Sequence, residues 1–344
     1  MVTLGFLGTG WIGRNRMEAM LATGEAKAVA ICDPNPEMAA AAQQLAPDAR
    51  TAGSFEELLA CELDGVVIAT PSALHAEQSV AAFEAGAAVF CQKPLGRSAA
   101  EVEAVLAAAE GADRLLGVDL SYRHTAAMQA IRDHIAEIGT PFVADLTFHN
   151  AYGPGAAWFW DSKLSGGGCL IDLGVHLVDL ALWLFDFPAV ERATATLLRD
   201  GRPVRKDEVE DFALGELALA NGVNVRVACS WNLNAGRDAV IEATIYGTEG
   251  GAQMRNEGGS FFDFTADLFK GRNAQHLASS PDAWGGRTAA EWVRKLAAGE
   301  RFAGSTKGLL ETARALDRLY GRADHQPFTR SHSPTIATPP SVTK

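Results

Sequence analysis

Cysteine is scarce in this chain, and its few copies form no pattern. Cys32, Cys61, Cys91, Cys169 and Cys229 are odd in number, widely spaced and free of any C-x-x-C repeat. That argues against a disulfide framework and against a thiolate zinc site. Positive charge is also in short supply: 30 Lys and Arg face 42 Asp and Glu, a formal charge of −12, with no basic cluster. Neither a nucleic acid nor an anionic membrane is therefore an expected partner. Long uncharged apolar runs are missing too. The most apolar stretch, residues 169–187, contains Asp172, His176, Asp179 and Asp186, which makes a poor membrane span. Strand-like sequence begins at Val2, leaving no room for the basic and apolar regions of a signal peptide, so the expected location is cytoplasmic. Apolar content as a whole is ordinary at 48%, and 344 residues suggest two domains of roughly 100–200 residues each.

From residue 1 to about 120, short apolar runs (2–7, 26–32, 65–69, 87–91, 115–120) alternate with helical stretches (12–23, 37–46, 54–61, 74–84, 99–110). This alternation predicts βαβ units and a parallel sheet covered on both faces. Ser54 followed by Glu57 reads as a capping box, and Gly24, Gly86 and Gly111 stand where helices are expected to stop. After about residue 120 the texture changes. A helix over 125–138 and a half-exposed strand over 142–149 lead to a Gly-rich turn and the long apolar helix after Gly168. Alternating runs follow at 191–198, 212–219, 223–231, 239–246 and 260–264, then helices at 289–298 and 308–320. Strands without interleaved helices predict a mostly antiparallel sheet. The Ser/Thr/Pro-rich residues 331–344 are expected to be a flexible tail.

Gly8-Thr9-Gly10-Trp11-Ile12-Gly13 fits G-x-G-x-x-G between a strand ending at Leu7 and a helix starting near Ile12. That context is the one the motif needs. Gly8 allows the tight turn, Gly10 lets a pyrophosphate approach the backbone, and Gly13 lets the helix pack on the strand. The phosphates would rest over the free N–H groups of the helix start, at Trp11 and Ile12. Asp33 lies twenty residues beyond Gly13, at the end of the second strand. There a carboxylate accepts from both ribose hydroxyls and repels a 2′-phosphate, so NAD is expected over NADP. Asn35 and Arg14 soften that preference without reversing it. Two more strands end at the same edge of the sheet, where open α/β sheets bind ligands. One runs into Thr70-Pro71 with His75 on the next helix, the other into Gln92-Lys93-Pro94. These residues are further cofactor candidates, Lys93 being held in a stiff, extended segment before proline.

Asp172 and His176 stand four residues apart in an otherwise apolar helix, with Asp179 one turn on. A carboxylate and an imidazole on a buried face need partners or a task. They read as a satisfied polar pair, as metal ligands for which no further His/Glu/Cys motif completes a site, or as a proton-transfer pair in which Asp172 orients His176.

Taken together, these motifs resemble the family of glucose–fructose oxidoreductase, inositol dehydrogenase and their rhizopine-catabolism relatives, over residues 2–325. The resemblance rests on G-x-G-x-x-G, the A-T-P segment leading to His75, the K-P at Lys93 and the G-G-G-x-L-x-D-x-G-x-H-x-x-D run through Asp179. It extends to Val209-Glu-Asp-Phe, Ser230-Trp231-Asn232 and Tyr246-Gly-Thr-Glu-Gly. It implies an α/β fold: an amino-terminal Rossmann domain (1–120) and a carboxy-terminal α/β domain (121–325) with an open, mostly antiparallel sheet. The open face of that sheet would build a homodimer or homotetramer. Residue by residue, it implies that Lys93 reaches the substrate hydroxyl and that Asp172 and His176 complete a catalytic triad. One departure stands out: Gln92 occupies the position where the family usually has Glu, keeping size and reach while dropping a negative charge.

The expected activity is NAD-dependent oxidation of a secondary hydroxyl of a sugar, sugar derivative or cyclitol, with no metal. His176 would take the proton, Lys93 would polarise the reacting oxygen, and Asp172 would fix the imidazole. Tyr122, Arg123, Asn150, Tyr152 and Trp158 flank the catalytic helix and are candidate substrate contacts beside Lys93, Asp172 and His176. Two alternatives stand beside this expectation: NAD-assisted hydrolysis or elimination of a glycosidic bond through transient oxidation, and a non-enzymatic NAD-binding sensor.

Overall fold

Six parallel strands form the first sheet: β1 (Val2–Leu7), β2 (Ala26–Cys32), β3 (Arg50–Thr51), β4 (Gly65–Ile68), β5 (Ala88–Cys91) and β6 (Leu116–Val118). Their order is 3-2-1-4-5-6, so strands are added to one side of β1 and then, from β4, to the other, which leaves a crevice at that switch point. In the computed structural model, which describes residues 1–303 and 306–322, β4 and β5 are buried along their whole length. This fits their uninterrupted apolar sequences and the helices on both faces. Those helices are α1 (Trp11–Leu21), α2 (Pro36–Gln43), α3 (Phe55–Leu59), α4 (Ser72–Glu84) and α5 (Ala99–Ala112). Ser54 caps α3 by accepting from Glu57 N, and the Glu57 carboxylate accepts from Gly53 N. Helix α5 runs through Gly111 and stops at Asp113, in the left-handed region at φ 46°, so that boundary lies beyond the glycine the sequence suggested. The proposed tail, 331–344, lies outside the described residues.

Beyond a turn at Ser121–His124, α6 (Ala126–Asp133) leads into β7 (Pro141–Asn150). Then come α7 (Ser162–Ser165), a π-helical turn at Leu170–Gly174 and α8 (Val175–Leu184). The remaining strands are β8 (Val190–Arg199), β9 (Arg202–Pro203), β10 (Phe212–Leu219), β11 (Asn224–Ser230), β12 (Ala239–Gly247), β13 (Gly251–Asn256), β14 (Phe264–Lys270) and β15 (Asn273–Ala278). They form a nine-stranded sheet in the order 15-14-13-12-7-11-10-8-9. Its pairs are antiparallel except β7 with β11. The helical run Ser162–Leu184 is long and apolar enough to cross a membrane by composition, yet 89% of its most apolar window is buried inside the protein. An all-round apolar helix of this kind is a core helix when sheet and helices surround it.

Two late helices tie the domains together. Helix α9 (Arg287–Ala297) follows the second sheet in sequence but packs on the first. Trp292 lies against Phe90 with ring centroids 5.7 Å apart. A Cβ on Gly65 or Gly117 would fall 2.6 or 2.5 Å from its indole. Those glycines make the space the ring fills. Helix α10 (Lys307–Leu319) packs between α5 and α8, and Asp317 accepts from Ala99 N at the start of α5, 2.7 Å away.

Candidate active site

The glycine turn has the form its sequence implies. Gly8 sits at φ 80°, and a Cβ there would lie 2.6 Å from the Ala69 carbonyl oxygen. A Cβ on Gly13 would lie 2.2 Å from the Gly8 carbonyl oxygen, whereas one on Gly10 would meet nothing within 4 Å. Gly8 and Gly13 thus serve the turn, and Gly10 faces open space. Helix α1 starts without a side-chain cap and without an acidic residue in its first turn, so its leading N–H groups remain available to an anion. Asp33 lies beside them, accepting from Thr9 N at 2.6 Å, Thr9 Oγ1 at 3.2 Å and Asn35 N at 2.8 Å. These features fit a dinucleotide: an open backbone cradle for the pyrophosphate and a carboxylate at the end of the neighbouring strand along the same edge.

Two cavities open at the carboxyl edge of the first sheet. The smaller, about 360 Å³, is lined by Trp11, Ile12, Thr70, Pro71, His75, Gln92, Lys93, Trp158 and Asp172, among others. The larger, about 720 Å³, is lined by Trp11, Ile12, Gln92, Lys93, Tyr122, Asn150, Tyr152 and His176, with aromatic walls from Phe261, Phe262 and Trp284. Trp11, Ile12, Gln92 and Lys93 belong to both. Lys93 therefore stands where the smaller cavity meets the second, roomier one. Trp158, expected among substrate contacts, lines the smaller cavity with the cofactor candidates. Arg123 lines neither: its guanidinium is bound to the buried Asp179 carboxylate and lies over the Phe187 ring, which makes it a packing residue.

The Lys93 ammonium donates to Asp172 Oδ1 at 2.6 Å and to the Asp172 carbonyl oxygen at 2.7 Å. Asp172 Oδ2 accepts from Trp231 Nε1 at 3.1 Å. Both oxygens of Asp172 are thus engaged away from His176, and the expectation that this carboxylate orients the imidazole is corrected. The reason lies in partners from outside the helix: Lys93, beyond the end of β5, and Trp231, beyond the end of β11, take the two oxygens. His176 is instead fixed by packing, its ring 4.8 Å from Tyr122 and 6.3 Å from Phe148. Its Nδ1 is buried with no hydrogen-bond partner. Burial first, then the nearby Lys93 and Arg16 charges, hold His176 well below the ordinary imidazole range, so the ring is a neutral proton acceptor at pH 7.

The π-turn is itself clamped. Glu210 Oε1 accepts from Gly168 N at 2.9 Å, Leu170 N at 3.0 Å and Tyr320 Oη at 2.7 Å. Ile171 N donates to Tyr320 Oη at 3.1 Å, and Cys169 N to the Glu210 carbonyl oxygen at 3.1 Å. Four consecutive N–H groups ahead of Asp172 are satisfied by two residues. A Cβ at Gly168 would lie 1.8 Å from the Glu210 carbonyl oxygen, and one at Gly167 would lie 2.2 Å from Tyr320 Oη. Only glycine admits so close a clamp. Glu210 and Tyr320 were not among the sequence candidates, although Val209-Glu-Asp-Phe was a marked motif.

His75 also holds backbone. Its Nδ1 lies 2.7 Å from the Pro94 carbonyl oxygen and its Nε2 2.7 Å from that of Thr70, bracing the two strand-end turns against each other. Burial pushes its pKa down, partly offset by those carbonyls. With both ring nitrogens facing backbone carbonyls, His75 shapes the smaller cavity rather than presenting a free polar group to it. Gln92 donates to Asp119 Oδ2 at 2.7 Å, and Arg16 Nε donates to the same oxygen at 2.6 Å. A buried carboxylate therefore does lie beside Gln92, carried by the residue that follows β6. Asp119 and Arg16 escaped the sequence reading; the available signal was a charged residue directly after a strand at the ligand-binding edge.

Residues 2–120 match the family described as an oxidoreductase family with an NAD-binding Rossmann fold, and residues 128–253 match the GFO/IDH/MocA C-terminal domain. The 1,5-anhydro-D-fructose reductase of Ensifer adhaerens is 34% identical over 59% of this chain and 60% of its own length. The inositol 2-dehydrogenase of Acidiphilium cryptum is 30% identical over 73% of each chain. A levoglucosan dehydrogenase solved with NADH and levoglucosan superposes with a TM-score of 0.78 over 93% of this chain and 96% of that one, at 24% identity.

Proposed function

Because this chain belongs to the Gfo/Idh/MocA oxidoreductase family, with an NAD-binding Rossmann domain as its first part, we propose that it oxidises a secondary hydroxyl of a sugar, sugar derivative or cyclitol with NAD. The observation that carries this reading is the place of Lys93, on the wall of both cavities and ion-paired with Asp172. Bound NAD would accept the two electrons that leave the carbinol carbon. Gly8, Gly10, Gly13 and the start of α1 would hold its pyrophosphate, and Asp33 its ribose hydroxyls. The Asp33 carboxylate disfavours a 2′-phosphate, hence NAD over NADP.

In this mechanism the Lys93 ammonium, steered by Asp172 and Trp231, donates to the reacting oxygen and stabilises the negative charge that develops there. His176, neutral and packed against Tyr122, takes the hydroxyl proton. The polyhydroxyl character of the substrate is supported by the larger cavity, where aromatic faces alternate with polar groups. Its named relatives act on anhydrosugars and inositol. The exposed Leu214 and Tyr246 on the outer side of the second sheet support association of that face with a second copy, a matter for sedimentation velocity.

The test is a panel of inositols, aldoses, deoxysugars and anhydrosugars with NAD or NADP, followed by nicotinamide absorbance. Reduction with at least one neutral polyol is expected, and Lys93→Met or His176→Ala should abolish most of it while leaving NADH affinity near that of the unaltered protein. No reduction with any member, despite tight NADH binding, refutes the reading.

A further inference from the structure

Three buried polar atoms that lack hydrogen-bond partners belong to residues lining the larger cavity: Asp119 Oδ1, Asn150 Oδ1 and His176 Nδ1. Such atoms are costly in a dry site unless a ligand supplies the complement. Asp119 differs from the others in carrying a charge while being only 2% exposed. Its Oδ2 receives Arg16 Nε and Gln92 Nε2, which fix the plane of the carboxylate, and its Oδ1 receives nothing. Arg16, 6% exposed, balances the charge.

The other charges on the wall are also committed. Lys93 is paired with Asp172, and Asp282 is paired with Arg287 and accepts from Ala126 N. The wall thus presents free acceptors without an uncommitted cation among the described residues. A carboxylate or phosphate placed at Asp119 would lie against a like charge whose Arg16 counter-ion is already engaged, whereas a hydroxyl would donate to the free oxygen. Asp119 lines the larger cavity and not the smaller one that collects Thr70, Pro71 and His75. Its ligand is therefore the substrate rather than the dinucleotide.

We propose that Asp119, set in place by Arg16 and Gln92, reads a hydroxyl of the substrate, and that the substrate is an uncharged polyol rather than a sugar acid or sugar phosphate. The inference rests on the reading of the larger cavity as the substrate site.

The test is calorimetric titration of the enzyme–NADH complex, which needs no turnover. The probes are myo-inositol, methyl glucoside and 1,5-anhydroglucitol, with glucuronate and glucose 6-phosphate as charged counterparts. NADH affinity is measured separately by fluorescence quenching. At least one neutral probe should bind about 10-fold or more tightly than either anion. Asp119→Asn places an amide donor where the free acceptor stands, and should weaken neutral-probe binding about 10- to 100-fold, the range for a hydrogen bond to a charged group, with NADH affinity unchanged. The double variant R16Q/D119N leaves no charge buried alone and should show the same loss even if the single variant folds poorly. The proposal is overturned if both variants keep neutral-probe affinity, if NADH affinity falls in its place, if the anions bind as well as the neutral probes, or if no neutral probe binds. Neutral probes that bind in this pattern but are never oxidised would sink the oxidoreductase reading alone. Oxidation that D119N leaves untouched would sink only this inference.

Discussion

Replacing Asp172 by Asn discriminates between a carboxylate that holds Lys93 and one that holds His176. In the structure both carboxylate oxygens are occupied, one by the Lys93 ammonium at 2.6 Å and one by Trp231 Nε1 at 3.1 Å. Asn would keep the shape and the main-chain carbonyl contact at 2.7 Å but remove the charge that steers the ammonium. Deleting a preorganised donor to a developing negative charge costs about 10²- to 10³-fold in kcat, which sets the scale for Lys93→Met. Misplacing that donor should cost less, about 10- to 100-fold for Asp172→Asn. In the proposed mechanism the two residues act on one oxygen as a unit, so K93M/D172N should be no slower than K93M alone. D172N/H176A, joining independent contributions, should be slower than either single variant by about the product of their effects. Initial rates of NADH formation under saturating NAD measure all five variants, with NADH affinity by fluorescence as the control for a disturbed cofactor site. The reasoning is refuted if D172N adds nothing to H176A while multiplying the effect of K93M, because Asp172 would then be serving the imidazole. In that arrangement, carboxylate-to-amide exchange in a catalytic triad costs about 10⁴-fold through the wrong tautomer.

Three further outcomes follow from other parts of the structure. Burial and the Lys93 and Arg16 charges lower the His176 pKa from 6.5, so the acid limb of kcat/KM for oxidation should fall well below pH 6.5. In K93M, with one repelling charge gone, it should move up toward 6.5. By linkage, the unfolded imidazole takes a proton first, so His176 contributes a loss of stability as pH drops below 6.5; urea midpoints across pH 5–8 in H176A and the parent check the sign. Trp292→Ala should destabilise the protein by about 3–5 kcal/mol in urea unfolding, since Gly65 and Gly117 cannot close the void it leaves. Tyr320→Phe removes the hydroxyl shared by Glu210 and Ile171 N and should lower kcat several-fold with NADH affinity unchanged. An unaltered kcat would show that the clamp does not position Asp172.

Much of the fold is visible in local pattern because local physics produces it. The G-x-G-x-x-G turn needs glycine where a Cβ would meet backbone, the doubly buried β4 and β5 are continuous apolar runs, and Ser54 caps its helix through a neighbour three residues on. Strands β13 and β15 are not visible in that way. Gly251–Asn256 has no β-branched residue, and Asn273–Ala278 is largely exposed; neighbouring strands recruit them into the ladder. The second-domain position assigned to the helix at 287–297 in the linear reading also differs from its packing, because a helix at the end of one domain is free to cover the sheet of another.

The candidate site divides along the same line. Lys93, Asp172 and His176 stand out in one dimension because charged and titratable groups interrupt apolar segments, and burying such groups demands a partner or a task. Their partners do not stand out. That Asp172 faces Lys93 and not His176 depends on Lys93 and Trp231, which lie 79 and 59 residues away along the chain. Whether Arg123 meets substrate depends on Asp179, 56 residues away, and the carboxylate beside Gln92 comes from Asp119, just beyond the next strand. Residue type announces that a charge must be compensated. Which charge compensates it is a matter of distance in space, and spacing along the chain carries that information only within a helix turn or a strand.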